Sequence, residues 1–295
     1  MATPLRTNED KLIRIPVEVQ PVHPSHSRGY RTTPDGKPLS LMGVGGITLN
    51  LRVGDAALGW VGDHLEPCVS TKNSDNGKNS GANYLSCVGN TATVKIGDDE
   101  RRGFVTGTHG GCEHVLIDFP EDVIRKLTYG DTIRVEAFGQ GLALTDFPDI
   151  SVMSLDPRML RNRKWPVRAR RGKLVVPVAK LVPARIMGAG LGTDDCHTGD
   201  YDIQLFDEAK VKEHGLEGLR LGDIVAIVNA DHSHGRIYKT GAVSVGVVAH
   251  GACNTAGHGP GVTTLMTSPT GAIVPEVTPD ANLAHILGAG IEPAP

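Results

Sequence analysis

Apolar positions along the chain come in short alternating runs broken by glycine, the pattern of β-strands with one buried face. Runs of this kind occupy 13–19, 91–96, 103–106, 115–119, 132–138, 174–178, 224–228 and 242–249. Helical spacing is scarce. Residues 120–127 start at Pro120 with two acids in the first turn, as helix N-termini favour. Residues 206–215 end at a glycine placed like a C-cap. Weaker helical patterns cover 156–164 and 280–287. Two polar, glycine-rich stretches, 36–46 and 73–81, read as loops, the second as a mobile loop or lid. Residues 1–10 and 292–295 read as loose ends. The pattern therefore predicts a mainly β chain (β-rich α+β), with two β-barrel or sandwich-like subdomains and a few short helices. Their expected limits are 1–155 and 174–295, joined by a basic linker at 156–173.

Two internal echoes support two related halves. Leu127-Thr-Tyr-Gly-Asp and Leu219-Arg-Leu-Gly-Asp both read as a turn feeding a strand, with glycine supplying positive φ and aspartate closing the turn. His109-Gly-Gly-Cys112 is echoed by His250-Gly-Ala-Cys253. The echoes occur in opposite order, which argues against a simple tandem duplication.

Composition narrows the class. Of 295 residues, 39% are hydrophobic and 21% charged, ordinary for a globular protein. Gly (37) and Pro (19) outnumber aromatics (4%) heavily, which favours turns over long helices. No run approaches the roughly 18 apolar residues of a membrane span. The polar N-terminus lacks a signal core, so a cytoplasmic protein is expected. Five widely spaced cysteines, with no CxxC, suit free thiols. A net charge of −3 argues against general nucleic-acid binding. Yet eight basic residues and one acid lie between Asp156 and Lys173, leaving −10 on the remainder. That segment reads as a solvated linker or subunit-facing patch; the sharper alternative is an anion site for a phosphorylated substrate or RNA, with only Trp165 to stack on a base.

The chemistry concentrates in 199–261. Asp200 and Asp202, two apart after a glycine, fall on one face of an extended segment, where a divalent cation or a shared proton would relieve their repulsion. The loop after strand 224–228 carries Asp231, His232, His234 and Arg236. His232 and His234, two apart, could both reach one metal on an extended backbone; alternatively His232 is a general base oriented by a carboxylate, and Arg236 could fork onto a substrate carboxylate. His258, between two glycines, is the leading candidate for a base or ligand. Thr263, just beyond it, is a candidate substrate contact. In the N-terminal half His109 and His64 are candidate substrate contacts, with Cys112 a weaker nucleophile candidate. A purely polar turn or solvated acidic loop is the bland alternative for each cluster. No Walker A, HExxH or GxSxG occurs, and the 43–46 glycines lack the context of a dinucleotide site.

The stretches VGDHLEP (61–67), TGTHGGCEHVLIDFPEDV (106–123), GDYDIQLFD (199–207), LRLGDIVAIVNADHSHGRIY (219–238), GAVSVGVVAH (241–250) and AGHGPGVTTL (256–265) resemble the bacterial and archaeal DUF4438 family. The resemblance spans most of 10–280 and implies a β-rich, two-part fold without assigning an activity. The Gly-Asp turns leading into alternating strands are also similar to those of the β-rich acetamidase/formamidase enzymes.

Together these readings lead to an expected enzyme acting on a small polar, anionic metabolite by metal-assisted hydrolysis of a C–N bond in an amide or lactam. Asp200, Asp202 and His232 are the expected ligands of a divalent metal ion, His258, Asp231 and His234 the catalytic groups, and Arg236, His109, His64 and Thr263 the substrate contacts. The alternatives are a metal-free lyase or isomerase using the same acid/base set, or a non-catalytic small-ligand-binding protein. A homo-oligomer is expected, with no membrane and no nucleic-acid partner.

Overall fold

The computed structural model describes residues 5–25, 31–39 and 43–288. The N-terminal half closes into a six-stranded barrel. Around it run Arg14–Pro21, Val69–Lys72, His114–Asp118, Asp99–His109, Thr91–Ile96 and Ile133–Phe138, every neighbour antiparallel. Closure removes the exposed edges that such strands would otherwise present. Alternate residues Val17, Val19, Ile133, Val135 and Ala92 point inward, as the sequence periodicity requires.

The C-terminal half is built on a five-stranded sheet. Its order is Lys180–Pro183, Ile224–Asp231, Ile237–Val248, Val262–Ser268 and Ser151–Val152, with only the first pair parallel. A three-stranded sheet of Arg168–Arg170, Lys173–Val178 and Ile273–Val277 flanks it. One apolar cluster runs through both halves, from barrel residues such as Val105 and Ile117 to Val176, Val245 and Leu265. Among the described residues the α-helices are four and short. No described helix is long and apolar enough to cross a membrane.

Three expectations meet a different local structure. The stretch 73–81, read as a mobile loop, enters the helix Asn76–Leu85. Asp75 caps it by accepting from the Lys78 amide, and Asn79 and Asn83 are buried with their amides on the Glu113 carbonyl. Residues 156–173 are packed and do not form a free linker. Trp165 is fully buried with Nε1 donating to the Pro177 carbonyl, and Arg158, Arg161 and Arg168 pair with Asp156, Glu9 and Glu276. Those pairings neutralise part of the charge that suggested an anion site. Of the loose ends, 1–4 and 292–295 lie outside the described residues. Residues Glu9–Lys11 form a 3-10 turn, and Thr7 bridges to Leu144.

Candidate functional site

The barrel and the C-terminal sheet meet where Thr108 and Thr263 staple them together. Thr263 Oγ1 accepts from the Thr108 amide at 3.0 Å and donates to the Thr108 carbonyl at 3.0 Å. Thr108 Oγ1 then donates to the Gly199 carbonyl at 2.9 Å. Above this seam lies a cavity of about 310 Å³ lined by residues of both halves, among them His64, His109, Asp200, Asp202, Arg236 and His258.

The barrel contributes a hairpin. His109 and His114 are direct cross-strand partners at its end, so both imidazoles leave the same face. They converge on Glu66, fully buried, whose Oε1 lies 2.6 Å from His109 Nδ1 and 3.0 Å from His114 Nδ1. Glu66 Oε2 also accepts from Ser70 Oγ and the Gly45 amide. Burial alone would favour the neutral acid, but His109 and His114 outweigh it and hold the Glu66 carboxyl well below its usual range. With Nδ1 held by a carboxylate, His109 has Nε2 as its free ring nitrogen. His64 arrives on the neighbouring loop with a left-handed backbone (φ 53), fixed by its amide on the Ala252 carbonyl.

The C-terminal half contributes an extended segment and two loops. Residues 201–203 pair with 260–262 through Tyr201 to Val262 and Ile203 to Pro260 bonds. This pairing keeps 200–202 extended, so Asp200 and Asp202 share a face while Tyr201 is buried away from them. Gly110 packs tightly here, where a Cβ would sit 3.1 Å from Asp200 Oδ1 and 3.3 Å from the Gly199 Cα. Without one, the Gly110 amide donates to Asp200 Oδ1 at 2.8 Å. His250 follows the strand Ile237–Val248, fully buried, with Nδ1 2.9 Å from the Gly251 carbonyl and Nε2 2.6 Å from Asp200 Oδ2. Burial works against its cationic form, but the Asp200 charge overrides it and raises His250 to about 9; Asp200 is lowered in turn. His250 stacks on His109 at 4.0 Å between centroids.

His109, Asp200 and His250 each present a donor atom, all within 4.8 Å of one another. Two imidazoles and a carboxylate are the donor set of open catalytic Zn²⁺ sites. Their outer partners (Glu66, the Gly251 carbonyl and the Gly110 amide) are of the kind that orient metal ligands.

Arg236 lines the same cavity with 2% exposure. Its Nη2 donates to the Thr198 carbonyl at 3.2 Å, and its Nε is buried without a hydrogen-bond partner. No carboxylate pairs with it among the described residues. Behind it His232 is held neutral: burial, then the Arg236 charge, lowers it to about 3 despite Asp231.

Of the residues singled out in the sequence, His64, His109, Asp200, Asp202, Arg236 and His258 come together on the cavity. Thr263 lies in the seam with its hydroxyl committed to Thr108. Asp231, His232 and His234 do not line it. Asp231 accepts from the Ser233 amide and hydroxyl, at 2.9 and 2.6 Å. His232, expected as a ligand beside Asp200 and Asp202, is buried with Nδ1 2.9 Å from Thr264 Oγ1 and its ring edge-on to Tyr201. His234 is exposed. A bend at 233–235 breaks the strand, turning His234 to solvent between the buried His232 and Arg236, so residue type alone could not separate them. The Cys112 thiol is raised, first by burial and then by Glu66 and Asp200, which works against a thiolate nucleophile. His250, Glu66 and His114 were not among the expected ligands or catalytic groups. The His109/His250 echo was the available signal for the first, since the two echoed imidazoles stack on each other.

The chain belongs to the DUF4438 family. Residues 30–161 match its N-terminal domain of unknown function and 164–287 its C-terminal domain of unknown function. The fold is similar to the crystal structure of TM1086, with a TM-score of 0.90 at 43% identity over 96% of this chain and 99% of that one. No curated protein matches the sequence.

Proposed function

We propose that the chain is a divalent-cation-dependent hydrolase that cleaves the acyl C–N bond of a small, anionic amide or lactam. The observation that carries this reading is the His109–Asp200–His250 triad, with donor atoms within 4.8 Å and each ligand oriented from behind. A cation held there would lower the pKa of a water and polarise a carbonyl. In the overall reaction the water oxygen bonds to the acyl carbon, the C–N bond breaks, and a water proton ends on the departing nitrogen. His258, the most open of the cavity imidazoles at 38% side-chain exposure, lies 3.0 Å from Asp202 at the accessible side of the cavity. A cavity of about 310 Å³ limits the substrate to a small metabolite. Arg236 supports the anionic class: a buried guanidinium without a carboxylate partner is costly until a ligand provides one.

A second reading, a metal-free lyase or isomerase, draws on the 2.6 Å His250–Asp200 contact, which is an acid/base pair in its own right. The two separate in one assay. Protein loaded with Zn²⁺, Mn²⁺ or Co²⁺ is offered small amides and lactams with and without a carboxylate, and amine or ammonia release is followed. Hydrolysis is expected, reduced roughly a hundredfold or more in His109→Ala. Arg236→Gln should raise KM for carboxylated substrates roughly ten- to a hundredfold, leaving neutral ones little changed. Turnover that persists in chelator without releasing amine would transfer the assignment to the metal-free reading.

A further inference from the structure

We propose that the cavity binds a second divalent cation, on His64, Asp202 and His258, beside the one assigned to His109, Asp200 and His250; this rests on the reading of the first centre. His258 Nδ1 lies 3.0 Å from Asp202 Oδ2 and 3.3 Å from His64 Nε2, so three donors of three separate chain segments already converge. Cys253 Sγ lies in the same group, with donor atoms of His64, Cys253 and His258 within 4.8 Å of one another.

The outer partners repeat the pattern of the first triad. Asp63 Oδ2 sits 3.3 Å from His64 Nδ1, as Glu66 sits on His109 Nδ1, and leaves His64 Nε2 toward His258. The Gly259 amide donates to Asp202 Oδ2 at 3.2 Å, as the Gly110 amide does to Asp200. The extended 200–202 segment thus deals one carboxylate to each triad, where the spacing alone suggested both on a single ion. Asp202 Oδ1 is also 3.8 Å from His250 Nε2, so Asp202 stands between the two groups. The His64 ring is 5.3 Å from His250 and 5.6 Å from His109 between centroids. Two cations held by such neighbours would share one cavity, as in two-metal hydrolytic sites. Nitrogen donors alongside carboxylate select Zn²⁺, Co²⁺ or Mn²⁺ over Ca²⁺. The buried Cys253 thiol would lose its proton to a cation that reached it.

The test is a Co²⁺ titration of metal-free full-length protein, read by visible absorption and by native mass spectrometry. Saturation at two equivalents per chain is expected. His258→Ala and Asp202→Asn should each bring it to one, with circular dichroism unchanged. Saturation of the wild type at one equivalent, lost in His109→Ala but kept in His258→Ala, would overturn the second site and leave the first standing. No bound Co²⁺ in the wild type would overturn both.

Discussion

Three buried imidazoles carry the site because each has one ring nitrogen already committed: His109 to Glu66, His250 to the Gly251 carbonyl, His64 to Asp63. A fourth, His232, shows the opposite use of the same residue. It is buried beside Arg236, its Nε2 has no partner, and it is lowered to about 3. The native chain therefore resists protonating His232, while the unfolded chain accepts that proton near the ordinary histidine value of about 6.5. Between those two values the unfolded state holds the extra proton, so stability falls as pH drops through the window and is recovered above it. The contribution is up to about 1.4 kcal/mol per pH unit for this group. His232→Asn, which retains a polar partner for Thr264 but cannot take the proton, should flatten that slope in urea denaturation between pH 6.5 and 4. Equal slopes for variant and wild type would show that His232 is protonated in the folded state.

At the scale of elements, the strands were legible because they need only local alternation. Thr91–Ile96 and Ile133–Phe138 lie where the sequence pattern puts them, within a residue. The helix Asn76–Leu85 was not legible. Its buried face is Asn79, Ala82 and Asn83, with both asparagine amides donating to the carbonyl of Glu113 from a distant hairpin, and no local pattern announces that. The glycines were the better guide to the site. Gly261 follows His258 by three residues, and a Cβ there would overlap both Asp200 Oδ2 and His250 Nε2. Gly261→Ala should consequently push Asp200 and His250 apart. We expect a stability loss of about 1–3 kcal/mol by urea denaturation and a cation affinity lowered at least roughly tenfold. Wild-type Zn²⁺ affinity in a folded Gly261→Ala protein would mean that the 2.6 Å His250–Asp200 approach has no bearing on the site.

For the whole molecule, neither half holds the site alone. The barrel brings His64, Glu66 and His109; the C-terminal half brings Asp200, Asp202, His250 and His258. The carboxylate pair and most of the histidines could be named from the sequence, since they sit between glycines at strand ends. Their partition could not, because it depends on which loops the barrel–sheet seam lays against each other. Asp231 and His234 share the residue types of the true lining, yet the seam leaves them outside it. The same dependence makes the proposed cation centre the sharpest test, since its proposed ligands come from both halves. The measurement is Zn²⁺ affinity and content of the purified wild type beside His109→Ala from the barrel and His250→Ala from the sheet. Tight binding in the wild type, lost from the His109–Asp200–His250 site in both variants with the fold intact, is the expected result. A wild type that binds no divalent cation, or variants that bind as the wild type does, would contradict it.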